Sequence, residues 1–133
     1  MSAFPSNDMA LTHLLVVADV ARSRSWYVDV LGANLHREYG EDSVVLTLLG
    51  NWLLLVGGGE PTADKPTVTF APPGDPDRVS TELIFRVSDC RAAYETLQGR
   101  GADFLSPPVD HGYETRAFFR DPDGHLFEIS EAG

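Results

Sequence analysis

Two carboxylates and an arginine carry the plainest chemical potential in this chain of 133 residues. Glu128 lies in the closing segment Asp121-Pro122-Asp123-Gly124-His125-Leu126-Phe127-Glu128. On an extended strand it shares a face with Leu126 and Ser130, while Phe127 and Ile129 take the other. A carboxylate among aromatic and aliphatic neighbours is costly to bury without a cation or hydrogen-bond partners. Glu128 is therefore either a solvated residue on an outward face or a cavity residue with a partner. Glu82 and Arg86 share a face with Ile84, opposite the uniformly apolar Leu83, Phe85 and Val87. They make a salt bridge without chemistry, or they enter a cleft together. In a cleft, Arg86 would hold an anionic or carbonyl-bearing ligand through its planar fork of donors.

Other residue types offer less. His111 and Tyr113 sit in the loop PPVDHGYETR, where a histidine can move protons near neutral pH and a tyrosine can donate a hydrogen bond or stack. The alternative is that both are surface loop residues. Trp52 is read as a cavity-lining or packing residue, and Trp26 as packing. His36 and His125 have no partner pattern beyond their strands. Cys90 follows a helix cap, a place that can lower a thiol pKa, but no base accompanies it in sequence, so it reads as a helix residue. There is no phosphate-binding glycine loop, no paired Cys-x-x-Cys, no His-Glu-x-x-His and no Gly-x-Ser-x-Gly elbow.

The elements that must position these groups follow from periodicity and punctuation. Leu11 to Ala18 is an apolar strand, and Asp19 caps a helix over Ala21 to Leu31 that Gly32 ends. Strands follow at Leu35 to Tyr39, Val44 to Leu49 and Trp52 to Gly57. Residues 58–79 hold five of the nine prolines, which disfavour interior strand pairing. They form a bridging segment with at most one short edge strand at Thr67 to Phe70, and serve as a lid or a surface crossover. The programme then repeats. Thr81 to Val87 is a strand, Asp89 a cap, Cys90 to Gln98 a helix and Asp103 to Leu105 a short strand. Arg116 to Arg120 and His125 to Ile129 form a hairpin around Asp-Pro-Asp-Gly. Superimposing VVADVARSRSWYVDVLGA on FRVSDCRAAYETLQGRGA supports an internal duplication.

At 43% hydrophobic and 23% charged, the chain reads as an ordinary soluble globular protein. A formal charge of -10 disfavours nucleic acid and anionic membranes as partners. A single cysteine fits a reducing compartment, and the start lacks a signal-peptide pattern, so a cytoplasmic location is expected. No apolar run reaches membrane-spanning length.

The segments LTHLLVVADVARSRSWYVDVLGA, TELIFRVSDCRAAYETLQGRGADFLSPP and FFRDPDGHLFEISE together resemble the vicinal oxygen chelate superfamily of glyoxalases, bleomycin- and fosfomycin-resistance proteins and extradiol dioxygenases. The resemblance implies an α+β fold with two βαβββ modules in one glyoxalase-like domain, residues 11–57 and 80–131 around the 58–79 bridge, forming a curved mixed sheet about a cavity. It also implies a homodimer. Metal ligands of such proteins correspond here to Thr12 or His13, to Glu82 and to Glu128. The fourth strand of the first module, Trp52-Leu53-Leu54-Leu55-Val56, lacks the carboxylate of glyoxalase-like enzymes.

His13, Glu82 and Glu128 together would suit Fe, Mn, Zn, Ni or Co without choosing among them. The expected ligand position, however, lies seven residues before the helix-capping Asp. Glu82 has that spacing from Asp89 and Thr12 has it from Asp19, whereas His13 is one residue out of phase. Without a bulge, alternation turns His13 toward the helix. Two functions follow from the resemblance. One is a metal-dependent lyase, isomerase or dioxygenase acting on a small molecule through Glu82 and Glu128, with Tyr113 and His111 as further catalytic candidates. The other is a non-catalytic, cofactor-free small-molecule or drug binder whose pocket uses Arg86, Trp52 and Thr12.

Overall fold

Asp19 and Asp89 begin the two helices in the same way, each carboxylate accepting the free backbone amide three residues on, from Arg22 and Ala92 at 3.0 Å. The computed structural model describes residues 3–133. It contains strands β1 (Thr12–Val16), β2 (Asn34–Tyr39), β3 (Ser43–Leu48) and β4 (Asn51–Val56), with helix α1 (Val20–Asp29) after β1. The second half contains β5 (Leu83–Arg86), α2 (Cys90–Gly99), β6 (Asp103–Phe104), β7 (Val109–Asp110), β8 (Glu114–Arg120) and β9 (Leu126–Ala132). Gly32, at φ +77°, gives α1 its left-handed exit. The amides of Gly32 and Ala33 there return to the carbonyls of Val28 and Tyr27.

Two mixed sheets result, in the order β1-β4-β3-β2 and β5-β9-β8-β6, with β7 on β8. In each, the strand before the helix pairs parallel to the last strand of its half, and the remaining pairs are antiparallel. The α+β architecture expected from the sequence is the one observed. Two details differ. The edge strand expected at Thr67 to Phe70 is reduced to an isolated bridge between Gly59 and Phe70, because Pro66 and Pro72 flank a stretch with no sheet edge beside it. The proline-rich stretch after β6 also yields the two-residue β7.

Alternation along the strands sorts the residues by face. Leu53 and Leu55 of β4, Val44 and Leu46 of β3, Phe119 of β8 and Phe127 and Ile129 of β9 are buried in one core, together with Tyr27 and Cys90 from the helices. Trp26 joins it, its ring 6.0 Å from Phe127 and 4.9 Å from Tyr27. The two halves thus share the faces that carry their helices. The opposite face of each sheet stays open.

The Asp-Pro-Asp-Gly turn locks the halves together. Asp121 accepts the amides of Asp123 and His125, at 2.9 and 2.8 Å, and the Tyr27 hydroxyl at 2.7 Å. Asp123 accepts the Ala18 amide at 2.9 Å, at the entry to α1. His125 Nε2 lies 2.7 Å from the Val16 carbonyl, a partner the sequence did not announce. Gly124 has φ +96°, and a Cβ there would lie 2.9 Å from Pro76 Cβ, so the bridging segment packs against a position only glycine suits.

Candidate functional site

Strand register decides which polar side chains meet on the open face of the second sheet. Ile84 is opposite Glu128 and Arg86 opposite Ser130 across the β5–β9 pair. Across β8–β9, Phe118 is opposite Glu128 and Arg116 opposite Ser130. One row of this face therefore reads Ile84, Glu128, Phe118, and the next reads Arg86, Ser130, Arg116. Glu82 precedes β5 and falls diagonal to Glu128.

Glu128 is only 6% exposed, although it lies on the face turned away from the core. Beside it, Glu82 Oε2 is buried with no hydrogen-bond partner as a carboxylate. Desolvation, then the Glu128 carboxyl as hydrogen-bond partner and as negative charge, raise the Glu82 pKa from 4.5 to about 7, and the Arg116 charge opposes them. A protonated Glu82 can donate to Glu128, which supplies the partner its ionised form lacks. The pair is then a proton donor beside an acceptor.

Arg116 carries the positive charge of this group. Its Nη1 donates to Glu114 Oε1 at 2.9 Å, and its guanidinium lies 5.6 Å from the centre of the Phe118 ring. The Glu114 hydrogen bond, followed by the charges of Tyr113, Glu114 and Glu128, holds its pKa above the usual value against desolvation. Arg86 donates to Ser130 Oγ at 2.8 Å and lies 3.6 Å from Glu114 Oε2. Nothing in residue type or local spacing marks Glu114 and Arg116 as partners of this group. The signal that would have found them is the hairpin turn, whose length sets the register and puts Arg116 in phase with Glu128.

The other candidate residues lie elsewhere. Thr12, His13, Trp52, Ile84 and Arg86 line a separate cleft of about 330 Å³ between the ends of β1, β4 and β5. Ile84 and Arg86 belong both to this cleft and to the face that carries Glu128. The pairing of β1 with β4 runs unbroken from Thr12–Trp52 to Val16–Val56. With no bulge, His13 keeps the phase of Leu15 and Val17, on the helix-covered side. The structure therefore does not bring His13 to Glu82 and Glu128.

Trp52 is half-buried against His36, the rings edge to face at 4.7 Å. His111 and Tyr113 occupy the tip of the β7–β8 hairpin, both exposed, with ring centres 6.0 Å apart. Tyr113 immediately precedes Glu114 at the start of β8. Cys90 is buried with its sulfur 3.7 Å from the Ile129 carbonyl. Burial first, then the Glu131 charge, push its thiol up. This corrects the option of a helix-lowered thiol, since the low-dielectric core outweighs the helix terminus.

No group of three His, Cys, Asp or Glu side chains suited to a metal ion occurs among the described residues. The donor set agrees with that: two carboxylates with a guanidinium beside them, and no imidazole. A fixed cation next to the carboxylates opposes a second one, so these residues do not fit a three-ligand transition-metal centre.

The model of the Glyoxalase/Bleomycin resistance protein/Dioxygenase superfamily matches residues 10–129. The chain belongs to this superfamily. It is 31% identical over 113 residues to biphenyl-2,3-diol 1,2-dioxygenase 3 of Rhodococcus globerulus, covering 78% of this chain and 53% of that protein. The chain thus spans about half the length of the curated relative it matches.

Among solved structures, a glyoxalase/bleomycin resistance protein/dioxygenase from Nocardioides superimposes with a TM-score of 0.75 at 23% identity, covering 96% of this chain and 85% of that one. TioX from Micromonospora sp. ML1 gives 0.70 at 25%, covering 94% and 99%. The fosfomycin resistance protein FosX of Listeria monocytogenes gives 0.67 at 16%, covering 96% of each chain. The Nocardioides protein and FosX share the superfamily fold, and at these identities the likeness extends to the fold alone.

Proposed function

We propose that this superfamily member binds a small organic molecule on the open face of its second sheet, without a resident transition metal. One observation carries the reading: register puts Arg116 on the same face as the Glu82–Glu128 pair, one row along from Glu128, where a three-ligand centre would need a further donor. Arginine is a permanent cation that partly balances two carboxylates. The pair then offers a ligand one acceptor and one donor, backed by the apolar Ile84 and Phe118. Binding without catalysis needs nothing more.

We propose that a second copy of the chain closes this face into a cavity. Strands β1 and β5 are unpaired edges of their sheets, and Leu14 and Ile84 on them are exposed. The open face of the first sheet carries Leu14, Trp52 and Leu54, an apolar counterpart for the polar face around Glu128. The protein is proposed to act as a homodimer in which each such face covers the other's.

Elemental analysis of protein purified without chelator, followed by titration with Zn, Mn, Fe, Ni and Co salts, tests the metal-free reading. No stoichiometric metal and no saturable binding is the expected result. Bound metal that Glu128→Gln abolishes would overturn it in favour of a metal-dependent lyase, isomerase or dioxygenase. The buried, unpartnered Glu82 Oε2 is the observation on the side of that second reading.

A further inference from the structure

We infer that Arg86, Ser130 and Arg116 form a carboxylate-binding subsite which the protein fills with its own Glu114 side chain when no ligand is present. The inference rests on the small-molecule reading above and names the ligand class. Arg86 and Arg116 stand in one row across three strands, with Ser130 between them. Two like charges in one row repel unless an anion bridges them, and Glu114 is that anion. One of its oxygens lies 2.9 Å from Arg116 Nη1 and the other 3.6 Å from Arg86 Nη1.

The bridge is lopsided. At 3.6 Å the Arg86 contact is beyond hydrogen-bond range, and the Arg86 side chain is 73% exposed while Glu114 is 17% exposed. Ser130 nevertheless holds the Arg86 guanidinium in place at 2.8 Å, which leaves most of its donors free. Arg116 Nε also lacks a partner, but it is buried and meets a ligand only if the guanidinium turns. Donors pinned in position but left unpaired suit a planar carboxylate, which guanidinium groups recognise through paired hydrogen bonds.

The neighbouring row sets what else the ligand carries. Glu128 lies two residues along β9 from Ser130, about 7 Å on an extended strand, with Ile84 and Phe118 on either side. A ligand with its carboxylate on the arginines would lay an apolar body against Ile84 and Phe118 and present a hydrogen-bond donor to Glu128. A para-hydroxylated aromatic acid has that reach and that order of groups.

Titration calorimetry with 4-hydroxybenzoate and its uncharged counterpart 4-hydroxybenzamide tests the subsite, on the wild type, Arg86→Gln and Glu114→Gln. The acid is expected to bind more tightly than the amide. Arg86→Gln should weaken the acid by about 10-fold or more, the loss typical of a hydrogen bond to a charged group. Glu114→Gln should strengthen the acid several-fold by freeing both arginines, and the amide should respond to neither change. Equal binding of acid and amide, insensitive to both substitutions, would overturn the carboxylate subsite and leave the pocket reading standing. Failure of both compounds to bind wild type and Glu114→Gln alike would overturn subsite and pocket together. Arg86 is an exposed side chain, so its replacement leaves the core intact and the comparison readable.

Discussion

Glu82 shows how a carboxyl group acquires a neutral-range pKa from its surroundings. Its folded value of about 7 lies above the ordinary 4.5, so between those two values the native state holds a proton that the unfolded chain has released. Linkage then requires stability to fall as pH rises across that window. The stabilisation is complete below the unfolded value and lost through the folded one. Partial exposure screens the effect. A loss of about 1 kcal/mol, seen as a Tm drop of about 4 °C, is the expected scale for the wild type. Glu82→Gln has nothing to titrate there, so its Tm should be flatter across the same window. Thermal unfolding followed by circular dichroism at a series of pH values checks this; parallel profiles for the two proteins would show that Glu82 does not titrate in this range.

At the scale of elements, the β8–β9 turn is a strut as well as a reversal. Asp121 turns the chain by accepting two amides and in the same place receives the Tyr27 hydroxyl from α1. Its pKa is raised, chiefly by burial, with the Tyr27 hydrogen bond pulling the other way. Tyr27→Phe removes that donor from a buried carboxylate and should destabilise the fold by about 1–3 kcal/mol, measured as a lower urea midpoint at unchanged slope. An unchanged midpoint would mean that water replaces the hydroxyl. Much of this element-scale structure was legible beforehand. The Asp caps, the glycine exit of α1 and the proline-glycine turn act through their nearest neighbours, and local chemistry of that kind is written in consecutive residues. Thr67 to Phe70 forms only a bridge for the complementary reason: its β-branched pattern is local, but a strand also needs an edge to pair with.

At the scale of the whole molecule, both helix-bearing faces are spent on one shared core, and among the described residues each sheet keeps a second face that no helix covers. A second copy is the proposed cover. Sedimentation at micromolar concentration should give a dimer. Leu14→Glu and Ile84→Glu, each placing a charge on an unpaired edge, should weaken it by at least about tenfold, in keeping with the cost of burying an unpaired carboxylate. A wild-type protein that sediments only as monomer would refute the arrangement. The formal charge of -10 adds a uniform repulsion between copies that salt would screen.

The closing hairpin, the two capped helices and the repeated order of elements were determined by the sequence alone, because each depends on residues within a few positions of one another. The phase of β1 was legible too. Counting from Asp19 turned His13 toward the helix side, and the unbroken pairing with β4 keeps it there. What only the tertiary structure decided is the company Glu128 keeps. Glu82 comes beside it through the parallel β5–β9 pairing, whose partners lie 44 positions apart in sequence, and Arg116 through hairpin register. A carboxylate takes its charge state from burial and from neighbours brought by those pairings. Its role as acid, acceptor or ligand anchor is therefore fixed by long-range geometry, which adjacent residue types do not encode.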